Sequence, residues 1–319
     1  MIEVALPLGY EIAFVAEQQG GLSEKWRRRF PLPVRETLCV PEGIYVLEEG
    51  TGPRSLRDRY ARLYLLDRKG NVLAEEDGED LRCLGICDDM ILAGGLDPKL
   101  SWVEVSGKRR KRLAVGWDQC PQIEDAPRKI FNYNHRLIMV LSDAYLYHCA
   151  FRRKTIHYRD RYPLGKYRLD GLWPGRLTGA DLGGERLLLL YEITDLDLEG
   201  CEWDGPTPYL KGLLNFYRLE IRTVFGNLEG EKDWMAPEEA PFYGALRDVL
   251  WWGDQIVLLT EKGISVFDPE KIPSRPLERI VFEYEEAWRL IKAPPFLFVC
   301  GSGEYAILKW EKGAWKRMF

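Results

Sequence analysis

The sequence predicts an all-β fold, a single domain built from about seven similar four-stranded units. Apolar, β-forming residues come in short runs, such as Ile44–Leu47 and Leu137–Val140, and Gly, Asp, Asn or Pro residues bound these runs. One arrangement recurs, in which a moderately apolar strand ends in a tight polar turn and a strongly apolar strand follows. Amphipathic helix patterns are nearly absent. Strands are therefore expected to make up most of the structure.

The positions of the tight turns give the period of the repeat. Successive turns are separated by 34, 46, 46, 49, 70 and 41 residues, which is close to the ~40–50 residues of a propeller blade. Glycine-containing hairpin turns such as Asp67–Gly70 and Trp310–Gly313 link further strands. The first unit looks one strand short, and the fifth carries an insertion. The seven tight turns end at Gly9, Gly43, Asp89, His135, Gly184, Asp254 and Pro295.

A four-stranded unit repeated at this period resembles the β-propeller superfamily, in the broad sense that includes quinoprotein-like and WD-repeat-like proteins. The resemblance covers the chain as one domain, residues 1–319, but the Gly-His…Trp-Asp signature of WD repeats and the paired glycines of kelch repeats are both missing. It therefore implies a fold and no particular activity. Two packed β-sandwiches are the rival interpretation. The predicted blades are residues 1–35, 36–80, 81–120, 128–165, 176–240, 243–285 and 286–319.

Composition favours a globular protein without a membrane segment. The 319 residues are 46% apolar, enough for a sizeable core, and carry 45 basic and 50 acidic side chains. No apolar run approaches the ~20 residues that span a bilayer, and Glu3 and Glu11 interrupt what would be the apolar region of a signal peptide. We therefore expect a cytoplasmic protein with no membrane contact. The seven cysteines are expected to be small buried side chains, because Cys83 and Cys87 lack the further ligands that a structural zinc needs.

The resemblance implies two unequal faces. In a propeller, the first-to-second and third-to-fourth turns share one face, and the second-to-third turns and blade-to-blade links share the other. The first set is tight, as at Pro41–Gly43, whereas the second set is long. Long loops held on a rigid frame are the usual site of binding. The predicted long loops are Gly50–Tyr60, Trp117–Pro127, Arg159–Thr178, Thr194–Asn215 and Asn227–Tyr243.

Tryptophan is concentrated in these long loops, which hold four of the eleven tryptophans, and three of the four have an adjacent aspartate. Tryptophan supplies a large contact area with a polar group, so the loops are candidates for a recognition surface. The alternative is that each tryptophan pins its own loop to the sheet. The candidate binding residues are Trp117, Asp118, Trp173, Trp203, Asp204 and Trp234.

Basic residues are concentrated in residues 101–170, which hold 15 Lys and Arg against 7 Asp and Glu. Two clusters fall at predicted third-to-fourth turns of neighbouring blades, away from the long loops. They form either a patch for an acidic protein or nucleic-acid phosphate, or solvated hairpin tips. The clusters are Lys108, Arg109, Arg110, Lys111 and Arg112, and Arg152, Arg153 and Lys154.

No catalytic motif is complete. Phosphate-binding loops, nucleophile elbows and zinc-protease motifs are missing, and the glycine-rich stretch Gly301–Ala306 leads into a strand rather than a helix. Asp195–Gly200 resembles the start of a calcium loop, but Pro206 stands where a bidentate carboxylate is required. The enzyme alternative is a glycosidase-like hydrolase whose carboxylates, Asp118, Asp204 and Asp233, meet over a central channel.

These observations together favour a non-catalytic binding or scaffold protein, a subunit of a larger complex that presents its long-loop face to a macromolecular partner. A protein partner is expected first, with an acidic protein or nucleic acid as the alternative through residues 101–170. No cofactor and no metal are expected.

Overall fold

The structure is a computed structural model that describes most of the chain. The described residues are 2–18, 21–49, 62–77, 81–88, 90–95, 99–107, 111–118, 123–134, 137–152, 155–164, 175–196, 213–235, 245–271, 276–282 and 287–318.

Seven antiparallel sheets follow one another along the chain, which is the architecture of a seven-bladed β-propeller. The first sheet contains β1 (Glu3–Pro7), β2 (Glu11–Gln18) and β3 (Gly21–Arg29). The second contains β4 (Val34–Val40), β5 (Gly43–Glu48), β6 (Arg62–Leu66) and β7 (Val72–Asp77). The third contains β8 (Leu81–Cys87), β9 (Met90–Gly95), β10 (Leu100–Ser106) and β11 (Arg112–Asp118). The fourth contains β12 (Lys129–Asn134), β13 (Leu137–Leu141), β14 (Tyr145–Arg152) and β15 (Thr155–Pro163).

The last three sheets continue the same order. The fifth contains β16 (Gly175–Gly183), β17 (Arg186–Leu196), β18 (Leu213–Thr223) and β19 (Leu228–Met235). The sixth contains β20 (Leu246–Trp252), β21 (Gln255–Thr260), β22 (Gly263–Phe267) and β23 (Glu278–Val281), with a short 3-10 turn at Pro269–Lys271. The seventh contains β24 (Arg289–Ala293), β25 (Phe296–Cys300), β26 (Tyr305–Glu311) and β27 (Ala314–Arg317).

The predicted fold class is confirmed, and the two-sandwich interpretation is wrong because the strands form seven separate sheets. All seven predicted turns join the first two strands of a sheet. The chain divides into two compact units, Met1–Arg161 with Ile291–Phe319, and Tyr162–Leu290. The treatment of residues 1–319 as one domain stays a prediction.

Burial distinguishes the strands within a sheet. All six residues of β5 are buried, whereas only one residue in each of the fourth strands β7 and β15 is buried. The first strands contact the first strands of neighbouring sheets, as β4 contacts β8 and β8 contacts β12. In the first unit, the first and last sheets of the chain share one apolar core, in which Leu6 and Val15 pack with Phe298 and Ile307.

The first sheet departs from the repeat. Elsewhere, the first strands of neighbouring sheets run parallel: Arg35 donates to the Arg82 carbonyl, and the Leu84 N–H donates to the Glu36 carboxylate. β1 runs antiparallel to β4, because the Val34 N–H donates to the Gly9 carbonyl (2.6 Å) and the Thr37 hydroxyl donates to the Ala5 carbonyl (2.6 Å).

The three strands of the first sheet therefore correspond to the second, third and fourth strands of the other sheets. The expected shortage of one strand in this unit is confirmed for the described residues. The assignment of the Gly9 turn as a first-to-second turn of the repeat is wrong. That turn lies beside the β25–β26 connection, where Gly303 N–H donates to the Leu8 carbonyl (3.1 Å), so it is equivalent to a second-to-third turn. This offset explains why the first separation is 34 residues when the next is 46.

Candidate functional site

The second-to-third turns of three sheets are fixed to the first strand of their own sheet by an arginine. Arg128, just before β12, donates to Asp143 through Nε (2.9 Å) and Nη2 (2.6 Å). Two further pairs join equivalent positions, Arg35 with Glu49 and Arg247 with Glu261. We call the end of the sheets that carries these turns and the links between sheets the loop end. Each pair braces the loop end of its own sheet, and we call the sheets held in this way the braced frame.

The fourth sheet shows this frame in most detail. The link that enters the sheet is held down by Ile123, which is 2% exposed, and by the Glu124 N–H, which donates to the Tyr147 hydroxyl oxygen (3.1 Å). Arg161 pairs with Glu124 and lies 4.8 Å from the centre of the Tyr145 ring. Part of the predicted loop Trp117–Pro127 is therefore packed against the sheet.

Two polar side chains complete this end of the fourth sheet. The Ser142 hydroxyl accepts from the Ala144 and Tyr145 N–H groups and so closes the second-to-third turn. It also donates to Asp125 (3.4 Å). Burial, with a smaller contribution from the Asp143 carboxylate, raises the pKa of Asp125 above its usual value. The link and the turn thus form one hydrogen-bonded unit.

The predicted tryptophan surface is only partly within the described residues. Trp234 lies in β19 and not in a loop, which corrects the predicted loop Asn227–Tyr243. Its side chain is 5% exposed and packs in an apolar cluster with Leu190 and Leu219, so its contact area is used inside the unit. Trp117 and Asp118 end β11, and their side chains are outside what the structure describes. Trp173, Trp203 and Asp204 also lie outside the described residues.

The structure also shortens the long loops at their ends. β15 extends to Pro163 and β16 begins at Gly175, so the ends of the predicted loop Arg159–Thr178 are strand. β15 extends further than predicted because it is an exposed fourth strand, which can carry polar side chains.

The meeting of Asp118, Asp204 and Asp233 over a channel stays a prediction. Asp118 and Asp233 both lie on the fourth strands of their sheets. Asp233 is held by Arg218, through bonds of 2.7 and 2.6 Å. Asp204 lies outside the described residues.

The basic clusters lie at the opposite end of the sheets from the loop end. Lys111 and Arg112 follow β10 and Arg152 ends β14, so both clusters are at third-to-fourth connections, and these three residues are exposed. Basic residues nearer the loop end, such as Arg128 and Arg161, are paired with carboxylates. Lys108, Arg109, Arg110, Arg153 and Lys154 are outside the described part of the chain.

No three His, Cys, Asp or Glu side chains in the described ranges are grouped so that they could hold a metal ion. No helix in those ranges is long and apolar enough to cross a membrane. The expected lack of a metal or cofactor stays a prediction.

Comparison with known proteins shows a shared fold. No protein-family model matches the chain, and no curated protein matches it in sequence. A chain in a crystal structure of a mitotic checkpoint complex is 10% identical, with a TM-score of 0.57 over 95% of this chain and 82% of that one. The dihydro-heme d1 dehydrogenase NirN is 12% identical, with a TM-score of 0.55 over 99% and 72%. The computationally designed protein Ika8 is 9% identical, with a TM-score of 0.50 over 99% and 83%. This protein is a β-propeller. At these identities the likeness extends to the fold alone.

Proposed function

We propose that this protein is a non-catalytic scaffold that binds a protein partner through its loop end, as a subunit of a larger complex. The observation that carries the proposal is the braced frame: Arg35, Arg128 and Arg247 each hold a turn at the end of the sheets from which the long connections leave. A preorganised frame lowers the entropy cost of ordering an interface.

The content of the connections supports binding rather than chemistry. Trp173 and Trp203 lie in the sequence between strands and Trp117 lies at the end of β11, and tryptophan is enriched among the residues that dominate interface energies. A fold shared with a chain of a mitotic checkpoint complex is also compatible with a subunit role.

The test compares four alanine variants for affinity and stability. The partner is first captured from the native host and identified by mass spectrometry. Trp117→Ala, Trp173→Ala and Trp203→Ala are then expected to weaken partner binding by ~30-fold, equivalent to ~2 kcal/mol, with little change in melting temperature.

Trp234→Ala is the matched control, because Trp234 is buried within its unit. It is expected to cost ~3–5 kcal/mol of stability and to leave affinity unchanged. If all four variants lose stability and none loses affinity, the loop end is only well packed and the proposal is wrong.

A second function is favoured by the exposed basic residues at the third-to-fourth connections. Lys111, Arg112 and Arg152 belong to clusters on consecutive sheets, which suits an acidic protein or nucleic-acid phosphate. Neutralising Lys108–Arg112 is expected to weaken a salt-sensitive interaction without changing the melting temperature. An unchanged set of captured partners would leave these residues as solvated turns.

A further inference from the structure

The first sheet ends in a basic edge strand. β3 is nine residues long and carries Glu24 against four basic side chains, and its residues are mostly exposed. No strand pairs with its outer edge in the part of the chain that the structure describes. The fourth strand of the second sheet is different, because β7 carries Glu75, Glu76 and Asp77. The basic side chains of β3 are Lys25, Arg27, Arg28 and Arg29.

The register identifies which main-chain groups are free for pairing. The Phe30 N–H donates to the Tyr10 carbonyl (2.7 Å), so Phe30 faces β2. In an antiparallel pair, alternate residues direct both main-chain groups to the same neighbour. Arg28 therefore also faces β2, whereas Arg27 and Arg29 direct their N–H and C=O groups outward. Lys25 is the extra residue of a bulge, so the regular edge runs from Trp26 to Arg29.

The arginine side chains around this edge are held in place. Arg27 donates to the Gly303 carbonyl (2.7 Å) and pairs with Glu24 (3.0 Å). Arg28 donates to the Gly70 carbonyl (2.8 Å) and lies 5.9 Å from the centre of the Phe30 ring. Arg29 is exposed and has no partner within the described ranges. Guanidinium groups therefore flank both faces of the free edge.

We propose that β3 is a docking edge for an extended acidic segment of a partner protein, which pairs with the outer edge of β3 and adds a strand to the first sheet. The outward N–H and C=O groups of Arg27 and Arg29 supply main-chain hydrogen bonds, as in other strand additions. Carboxylates of the added strand opposite Arg27 and Arg29 supply the charge complement. Arg29 ends β3 at the loop end, next to the Gly9 turn, so this edge adjoins the proposed interface. The peptide assay and the tryptophan variants use different probes and therefore test the two proposals separately.

The probe is a fluorescently labelled eight-residue peptide that alternates glutamate and threonine, with binding measured by fluorescence anisotropy. The full-length protein is expected to bind this peptide and not the peptide with lysine in place of glutamate. The acidic peptide N-methylated at alternate residues keeps its charge but loses main-chain N–H donors. It is therefore expected to bind about tenfold more weakly than the unmodified acidic peptide.

Two substitutions at one position separate charge from main-chain pairing. Arg29→Gln removes the charge and is expected to weaken binding about fivefold. Arg29→Pro removes the outward N–H as well, at an edge position where proline is tolerated, and is expected to weaken it more than tenfold. Arg279→Gln, an exposed arginine on the outer strand of the sixth sheet, is the matched control and is expected to bind normally.

Three results would overturn the proposal: no binding of the acidic peptide, equal binding of the N-methylated peptide, or equal weakening by Arg279→Gln. Any of these would mean that the arginines and the bulge only protect the edge from aggregation. If Arg29→Pro does not fold, Arg29→Gln and the N-methylated peptide still decide the matter.

Discussion

The ion pair between Glu220 and Arg222 in β18 is expected to be a strongly coupled element of the second unit. The two side chains are 3% and 6% exposed, and Arg222 Nε donates to Glu220 at 2.6 Å. The other two nitrogens donate to the carbonyls of Gly226 (2.7 Å) and Leu164 (2.6 Å). Arg222 therefore joins the chain after β15 to the β18–β19 turn, and all three of its nitrogens are used.

The magnitudes follow from what each substitution leaves buried. Glu220→Gln leaves a buried guanidinium without its carboxylate, which costs ~3–5 kcal/mol. Arg222→Met leaves a buried carboxylate without its cation, at a similar ~3–5 kcal/mol, and also removes the donor to two carbonyls. The double variant leaves no unpaired charge, so its cost is mainly the two carbonyls, ~2–4 kcal/mol. The singles are thus expected to sum to more than the double by at least ~2 kcal/mol.

Urea unfolding followed by tryptophan fluorescence measures these costs, provided that the slope of the transition is the same in all four proteins. The control is Arg186→Met, which breaks the pair with Glu229 on the same sheet, where the two side chains are 46% and 38% exposed. That change is expected to cost under ~1 kcal/mol. Single-variant costs that add to the double-variant cost within ~0.5 kcal/mol would refute the reasoning.

Two further predictions concern buried titratable groups in the first unit. Burial raises the pKa of the Cys83 thiol to about 12 and also raises that of the Cys87 thiol. Iodoacetamide at pH 8 is therefore expected to modify both cysteines only after unfolding, which peptide mass spectrometry measures. Rapid labelling of Cys83 in the folded protein would contradict this prediction. Burial also raises the pKa of the Glu48 carboxyl, so the folded state binds the carboxyl proton more tightly than the unfolded state does. The free energy of unfolding is therefore expected to fall as the pH rises from the unfolded-state pKa of ~4.3 through the folded-state pKa. Glu48→Gln keeps an acceptor for the Leu32 N–H (3.1 Å) and is expected to lose this part of the pH dependence in urea titrations; an identical pH dependence in both proteins would count against it.

The sequence predicted the repeat well because burial sets the pattern within each sheet. β20 and β21 begin and end where the sequence placed them, at Leu246–Trp252 and Gln255–Thr260, because the turn at Gly253 and Asp254 separates two short apolar runs. Fourth strands were harder to predict. β19 contains Glu229, Glu231 and Asp233, and such an exposed strand resembles a loop in composition.

The direction of β1 could not be predicted from local pattern. A buried apolar strand followed by a glycine turn has the same pattern in either direction, and only long-range contacts with β4 and β25 distinguish the two. For the candidate site, the sequence likewise predicted which residues to consider but not which of them are buried. The tryptophans were found by composition, but composition does not separate a buried Trp234 from an exposed one.

One tripeptide pattern recurs at the start of two first strands. In Val34-Arg35-Glu36 and in Leu246-Arg247-Asp248, an apolar residue, an arginine and an acid meet at a bulge in a first strand. The arginine pairs with the turn of its own sheet about 14 residues later, which braces the loop end. The acid accepts a main-chain N–H from the first strand of the next sheet, Leu84 for Glu36 and Leu290 for Asp248.

Successive side chains on a strand point to opposite faces, and the bulge changes the direction of one of them. The arginine therefore contacts a turn of its own sheet, and the acid contacts the first strand of the next sheet. Asp181, two residues beyond the bulge of β16, also accepts a main-chain N–H from the next first strand, that of Trp251 (2.8 Å). The acid half joins consecutive sheets within a unit, and the arginine half supports the loop end within a sheet. Loss of an acid is therefore expected to affect stability alone, whereas loss of an arginine is expected to affect the loop end and any partner that it binds.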